Sequence, residues 1–225
     1  MKKLPWLYIT ALFFLFYLLL YMNGEADLVF FLKPFLIPLL AIKLYYTRFF
    51  SVKKWLLLGL TFSWIGDVVL MFQDLGSFYF IAGLFSFLTA HVCYIYMFVC
   101  LKSFKKLSTK SWMLFSFVLL YLIVFLYLLI TNGELKEMHL PVFLYSCVIG
   151  QMLWGAGCLY LNKPFAGYDL ILLGAISFVL SDSILAINKF WTSSEIPDLS
   201  IYIMLSYLLA QYLIVSGIIW IHRFK

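Results

Sequence analysis

Apolar stretches and short polar breaks alternate along the whole chain. The apolar stretches fall at about 4–22, 28–47, 54–72, 78–100, 112–130, 141–160, 169–188 and 199–221, close to the roughly 20 residues that a helix needs to cross about 30 Å of hydrocarbon. Several breaks carry turn residues: NGEAD, QDLGS, TNGELKEMH and SSEIPD. The pattern predicts an all-α polytopic membrane protein with eight transmembrane helices, forming a single integral membrane domain over residues 1–225. The first stretch begins MKKLPWLY and is similar to a secretory leader in its basic start. It lacks a small-residue cleavage site and is long enough to span, so it reads as the first helix. Pro34 and Pro38 lie inside the second stretch, where each proline frees a carbonyl that a neighbouring helix must satisfy.

Composition strengthens this picture. Hydrophobic residues make up 65%, aromatic residues 21% and charged residues only 12%, and mean hydropathy is +1.04. A soluble domain needs a more charged surface. The net charge of +6 superficially suits nucleic acid, but its distribution follows the positive-inside rule instead, and no nucleic-acid partner is expected. The N-terminus, TRFFSVKK, LKSFKKLSTK, LNKPFAGYD and HRFK together hold twelve of the sixteen Lys and Arg. The alternate loops hold seven of the ten acids: Glu25, Asp27, Asp74, Glu134, Glu137, Glu195 and Asp198. That alternation places both termini in the cytoplasm, in a bacterial cytoplasmic membrane or a eukaryotic endomembrane. Cys93, Cys100, Cys147 and Cys158 all sit in apolar stretches without CxxC spacing, so they read as small packing residues. Neither a metal site nor a cofactor is expected.

Two aspartates interrupt the apolar pattern: Asp67 in TFSWIGDVVLM and Asp182 in ISFVLSDSILAINKF. Inserting Asp at a helix centre costs about 2.5–3.5 kcal/mol, so each needs a partner, a cavity or a proton. At about 1.5 Å per residue, both lie roughly 8 Å inside the outer boundary, and Lys33 reaches a similar level. Asn188 and Lys189 sit at the outer rim of the seventh helix, with Lys189 on the Asp182 face. His91 and Tyr94 lie one turn apart nearer the midplane. Tyr145, Tyr207 and Gln211 add two hydroxyls and an amide. Each supporting residue also has a plain use: a lysine snorkels, a buried histidine joins helices, and tyrosines anchor at the interface. Asp169, by contrast, sits at a helix start, where a negative charge suits the helix dipole.

A short internal match links the two aspartates. FSWIGDVVL aligns with SFVLSDSIL on the Asp, the small residue before it (Gly66, Ser181) and the aliphatic pair after it. SFLTAHV then aligns with SYLLAQY. The match suggests a parallel four-plus-four repeat in which Asp67 and Asp182 are pseudo-equivalent.

At these residues the sequence resembles the YhhN family of eight-span membrane proteins, whose characterised members are lysoplasmalogenases. The resemblance rests on Lys33-Pro34, SWIGD, FLTAHVCY, PVFLYSCVIGQM, LSDSILAINKF and YLLAQYLI, in this order over nearly the whole chain. It implies hydrolysis of the vinyl-ether bond of a lysoplasmalogen, a lysophospholipid substrate, to a fatty aldehyde and a glycerophospho-alcohol. A vinyl ether yields when a proton is added to its terminal alkene carbon and water captures the oxocarbenium ion. A carboxyl group in hydrocarbon holds its proton, and two neighbouring carboxyl groups resist ionising together. Asp67 and Asp182 are therefore the expected acid and base, in either order. Lys33, Lys189 or His91 would stabilise charge, position water or bind phosphate, with Tyr94 and Asn188 as further candidates.

Two other classes use intramembrane acids. A proton-coupled small-molecule or lipid transporter shares parallel repeats and midmembrane carboxylates. An intramembrane aspartyl protease needs YD and GxGD patterns, whereas this chain has WIGD and LSDS. No HExxH, nucleotide loop or GxSxG elbow occurs. Headgroup, chain length and oligomeric state are left open by the sequence.

Overall fold

The computed structural model describes residues 5–45, 50–105, 107–135, 138–164, 167–191 and 199–223. Several loop charges used above, among them Arg48, Lys106, Glu137, Glu195 and Asp198, lie outside the described residues. The helices are α1 (Pro5–Met22), α2 (Ala26–Leu32), α3 (Leu36–Tyr45), α4 (Lys53–Leu70), α5 (Ser77–Cys100), α6 (Thr109–Asn132), α7 (His139–Asn162), α8 (Tyr168–Phe190) and α9 (Ser200–Arg223). Every predicted apolar stretch is helical, and the described residues contain no strand. Among the described residues five helices, α5 to α9, are long and apolar enough to cross a membrane, against the eight spans expected, while α1 is a shorter apolar helix. The shorter α4 carries three charged residues, Lys53, Lys54 and Asp67, among its 18.

The second predicted stretch differs from a single helix. It is broken into α2, a 3-10 turn at Lys33–Phe35, and α3. Proline chemistry explains the break. Pro34 has no N–H to continue the α2 ladder, and Pro38 has none to offer the Pro34 carbonyl four residues back. That carbonyl is taken from outside the helix: the Trp64 indole N–H of α4 donates to it at 2.7 Å.

The chain divides into two compact units, Met1–Met97 and Phe98–Lys225. In the first, the Trp6 indole of α1 donates to the Leu39 carbonyl at 3.0 Å, tying α1 to α3. The α4–α5 contact is made close by glycines. Gly59 lies under the Tyr94 ring, Gly66 under Phe87, and Gly83 under Leu70. Small residues let helix backbones approach where lipid supplies no hydrophobic drive. Ser86 of α5 adds a hydrogen bond to the Phe62 carbonyl of α4 at 2.6 Å.

In the second unit, α8 and α9 form the most extensive pair. Gly174 of α8 faces the Ala210 carbonyl and Ile214 of α9. Gly167, just before α8, has φ +99°, and a side chain there would strike the Gly217 carbonyl; glycine meets both demands. The carboxyl ends of α6 and α8 meet, with the Glu134 N–H donating to the Phe190 carbonyl at 2.9 Å. Burial follows polarity: α6 is the most apolar of the five long helices and the least buried, α7 the least apolar and the most buried. Such sorting is expected where lipid, rather than water, is the solvent.

If the Pro34 carbonyl depends on Trp64 because Pro38 offers no donor, the two positions are coupled. Trp64→Phe is expected to lower stability by about 1–2 kcal/mol through a carbonyl left unsatisfied in an apolar medium. In a Pro38→Ala background, the restored N–H should remove at least half of that cost. Denaturant unfolding in detergent measures the cycle; an equal cost in both backgrounds contradicts the coupling.

Candidate active site

Asp67 stands in the last turn but one of α4, where it is 5% exposed. Its side-chain neighbourhood is built by the broken helix. Lys33 begins the 3-10 turn and lies within electrostatic range of the Asp67 carboxylate. The same contact that satisfies Pro34 positions this pair: Lys33 adjoins Pro34, and Trp64 precedes Asp67 by one turn on α4. A cation and an anion within such range stabilise each other more in an apolar interior than in water. Tyr17 of α1 also lies within electrostatic range of Asp67 and is fully buried. Ser63, one turn before Asp67 on the same helix face, is fully buried, and its hydroxyl has no hydrogen-bond partner among the described residues.

On α5, His91 and Tyr94 are fully buried. Tyr94 lays its ring against Gly59 of α4, so part of its role is packing. Ordinary helix spacing puts the two side chains on one face.

In the second unit, Asp182 of α8 is half-buried. The Tyr145 hydroxyl of α7 donates to its Oδ2 at 2.5 Å. The flanking serines hold the local backbone and a neighbouring helix. Ser181 donates to the Ile203 carbonyl of α9 at 3.0 Å. Ser183 donates to the Val179 carbonyl at 2.7 Å. Its oxygen lies 2.6 Å from the Tyr121 hydroxyl of α6, which must then be the donor. Tyr207 is buried and meets the Phe178 ring edge-on, and Gln211 is fully buried on the same helix, α9.

The remaining candidates lie at the α8 terminus. Asn188 is exposed, and its Oδ1 accepts from the Leu199 N–H at 3.2 Å, which anchors the approach to α9. Lys189 is exposed in the last turn of α8, where a cation suits the helix dipole. Cys93 and Cys158 are buried, whereas Cys100 and Cys147 are exposed. Among the described residues, no three His, Cys, Asp or Glu side chains converge as a metal site would require.

Three neighbours of Asp67 were not among the residues expected from the sequence: Tyr17, Ser63 and Trp64. Trp64 and Ser63 stand within four residues of Asp67, at helical spacings that put them on adjacent faces. Tyr17 carries no such mark; FFLFYLLLYM reads as uniform lipid-soluble helix.

The model of the YhhN family matches residues 28–218. A bovine protein (Bos taurus) described as Lysoplasmalogenase TMEM86A is 31% identical over 159 residues, covering 69% of this chain and 61% of its own length. The chain thus spans less than two thirds of that curated relative. No solved structure matches. The apolar helices and these likenesses together make this an integral, multi-pass membrane protein. The chain belongs to the YhhN family.

Proposed function

We propose that this protein is a membrane hydrolase acting on the vinyl-ether bond of a single-chain lysophospholipid. The products are a fatty aldehyde and a glycerophospho-alcohol. The observation that carries this reading is Asp67, an acid buried among apolar helices with Lys33 in electrostatic range. The bovine relative's description as a lysoplasmalogenase supports the substrate class. That relative is described as a hydrolase rather than a carrier, so the transporter alternative is not taken further.

The partners of the two aspartates divide the roles. Lys33 beside Asp67 stabilises an anion, which suits a base that takes a proton from water. Asp182 has one oxygen, Oδ2, occupied by the Tyr145 hydroxyl. A transferable proton therefore belongs on Oδ1. In the first step Asp182 gives that proton to the alkene carbon remote from the ether oxygen, leaving an oxocarbenium ion. Water attacks the carbon next to oxygen and loses a proton to Asp67, forming a hemiacetal. In the second step Asp182 takes the hemiacetal hydroxyl proton while Asp67 protonates the departing glyceryl oxygen. The C–O bond breaks, aldehyde and alcohol leave, and both carboxyl groups return to their starting states. One water is consumed per turnover.

Asp67→Asn and Asp182→Asn, purified in detergent, are each expected to lower aldehyde release by about a hundredfold or more. In heavy water the product aldehyde should carry deuterium on the carbon next to the carbonyl. Wild-type rates in both variants, or aldehyde without deuterium at that carbon, would remove this mechanism.

Tyr145→Phe keeps the ring and deletes the donor to Asp182. Loss of one hydrogen bond that orients the acid should slow turnover about tenfold, with a stability cost of about 1–2 kcal/mol that leaves the protein folded at the assay temperature. An unaltered rate would show that Tyr145 serves packing alone.

A further inference from the structure

Cleavage at the vinyl ether fixes where the lipid reacts, but not where its alkyl chain lies. A groove of about 470 Å³ opens on the surface of the first unit, between α3 and α4. Ile37 and Leu60, both buried, form its floor. Pro38, Ala41, Leu57 and Thr61 form its walls.

The walls are apolar in effect as well as in composition. The Thr61 hydroxyl donates to the Leu57 carbonyl of its own helix at 2.9 Å. The Trp64 indole N–H is spent on the Pro34 carbonyl. Both residues therefore offer the groove carbon surface. A cleft of this kind, opening on the surface of a membrane protein, fills with hydrocarbon rather than with water.

Its two ends differ, and the difference orients an occupant. At one end stands Trp64, one turn from Asp67 on α4 and hydrogen-bonded to the residue that follows Lys33. At the other stands Tyr45, whose carbonyl accepts from the Lys53 ammonium at 2.7 Å. That ammonium lies 5.9 Å from the centre of the Tyr45 ring. The span from Trp64 to Leu57 on α4 is seven residues, about 10 Å at the usual helical rise. One end thus stops at Trp64, one helical turn before Asp67 on α4, and the other is marked by a cation that an alkyl chain avoids.

We propose that this groove seats the alkyl chain of the single-chain lipid substrate and so acts as a chain-length selector for the site at Asp67. The proposal rests on the reading of Asp67 as part of a lysolipid-cleaving site. A gap between two adjacent helices takes one chain, which favours a lysolipid over a diacyl lipid. Lipid tails are as apolar as the groove, so transfer from the bilayer contributes little affinity. The groove acts by orientation: a chain laid along α3 and α4 holds its first carbons beside Trp64, near the reacting group.

Two measurements test this. The first is photocrosslinking with a non-cleavable hexadecyl lyso-ether lipid that carries a diazirine on its chain. The second is turnover of butenyl against decenyl vinyl-ether lysolipids, since a groove of about 10 Å holds roughly eight extended carbons. Wild-type crosslinks should map to α3 and α4 and fall about tenfold in Ala41→Phe and in Thr61→Phe, each of which fills the groove. In both variants the ratio of decenyl to butenyl turnover should drop by about tenfold. Crosslinks that map elsewhere, or ratios unchanged in both variants, overturn the proposal. Equal labelling by a diazirine-bearing diacyl phospholipid also overturns it, since the groove would then hold ordinary bilayer lipid. A wild-type protein that crosslinks as expected yet cleaves neither vinyl ether would instead sink the assigned reaction and leave the chain site standing.

Discussion

The Pro34 carbonyl organises the first unit. A backbone carbonyl inside hydrocarbon must find a donor, and the residue that would ordinarily supply one is Pro38. The donor comes from Trp64 on the neighbouring helix. This single hydrogen bond docks the broken helix on α4 at a fixed register. Lys33, the first residue of the 3-10 turn, lies within electrostatic range of Asp67. A continuous helix would have satisfied its own carbonyls and had no need of the indole.

Interrupted helices are a recurrent way of placing charge inside a membrane, because irregular backbone at that depth survives only where protein covers it. The second unit reaches a related end without a break. Asp182 stands on an unbroken α8 and is met by a neutral phenol from α7. One carboxyl group thus has a lysine in electrostatic range, and the other accepts from a hydroxyl.

Much of the architecture was legible because the bilayer imposes a length. Runs such as 112–130 and 141–160 correspond closely to α6 and α7, since each is apolar to its ends and bounded by turn residues. The prolines announced freed carbonyls, but the partner on α4 follows from tertiary packing, which a linear pattern does not encode. Lys33 illustrates the limit: near a helix end it reads equally as a snorkelling residue, and only the 3-10 turn brings it to Asp67. Tyr145 stood out as one hydroxyl among several, and its bond to Asp182 depends on how α7 is rotated against α8. Tyr17 was invisible because a lone tyrosine in an apolar run has the same signature whether it meets lipid or a carboxylate. Asn188 is marked in the sequence only as a polar residue at the outer rim of the seventh stretch; its bond from the Leu199 N–H depends on how the chain approaches α9.

The claim beneath all of this is that the broken helix delivers Lys33 to Asp67 inside the membrane. A double-mutant cycle on detergent unfolding, with Lys33→Met, Asp67→Asn and the pair combined, tests it most directly. The expected result is a coupling of at least about 1 kcal/mol, with the double variant less damaged than the two single effects added together, because neither charge is then left buried alone. Single effects that add to within about 0.3–0.5 kcal/mol would contradict it.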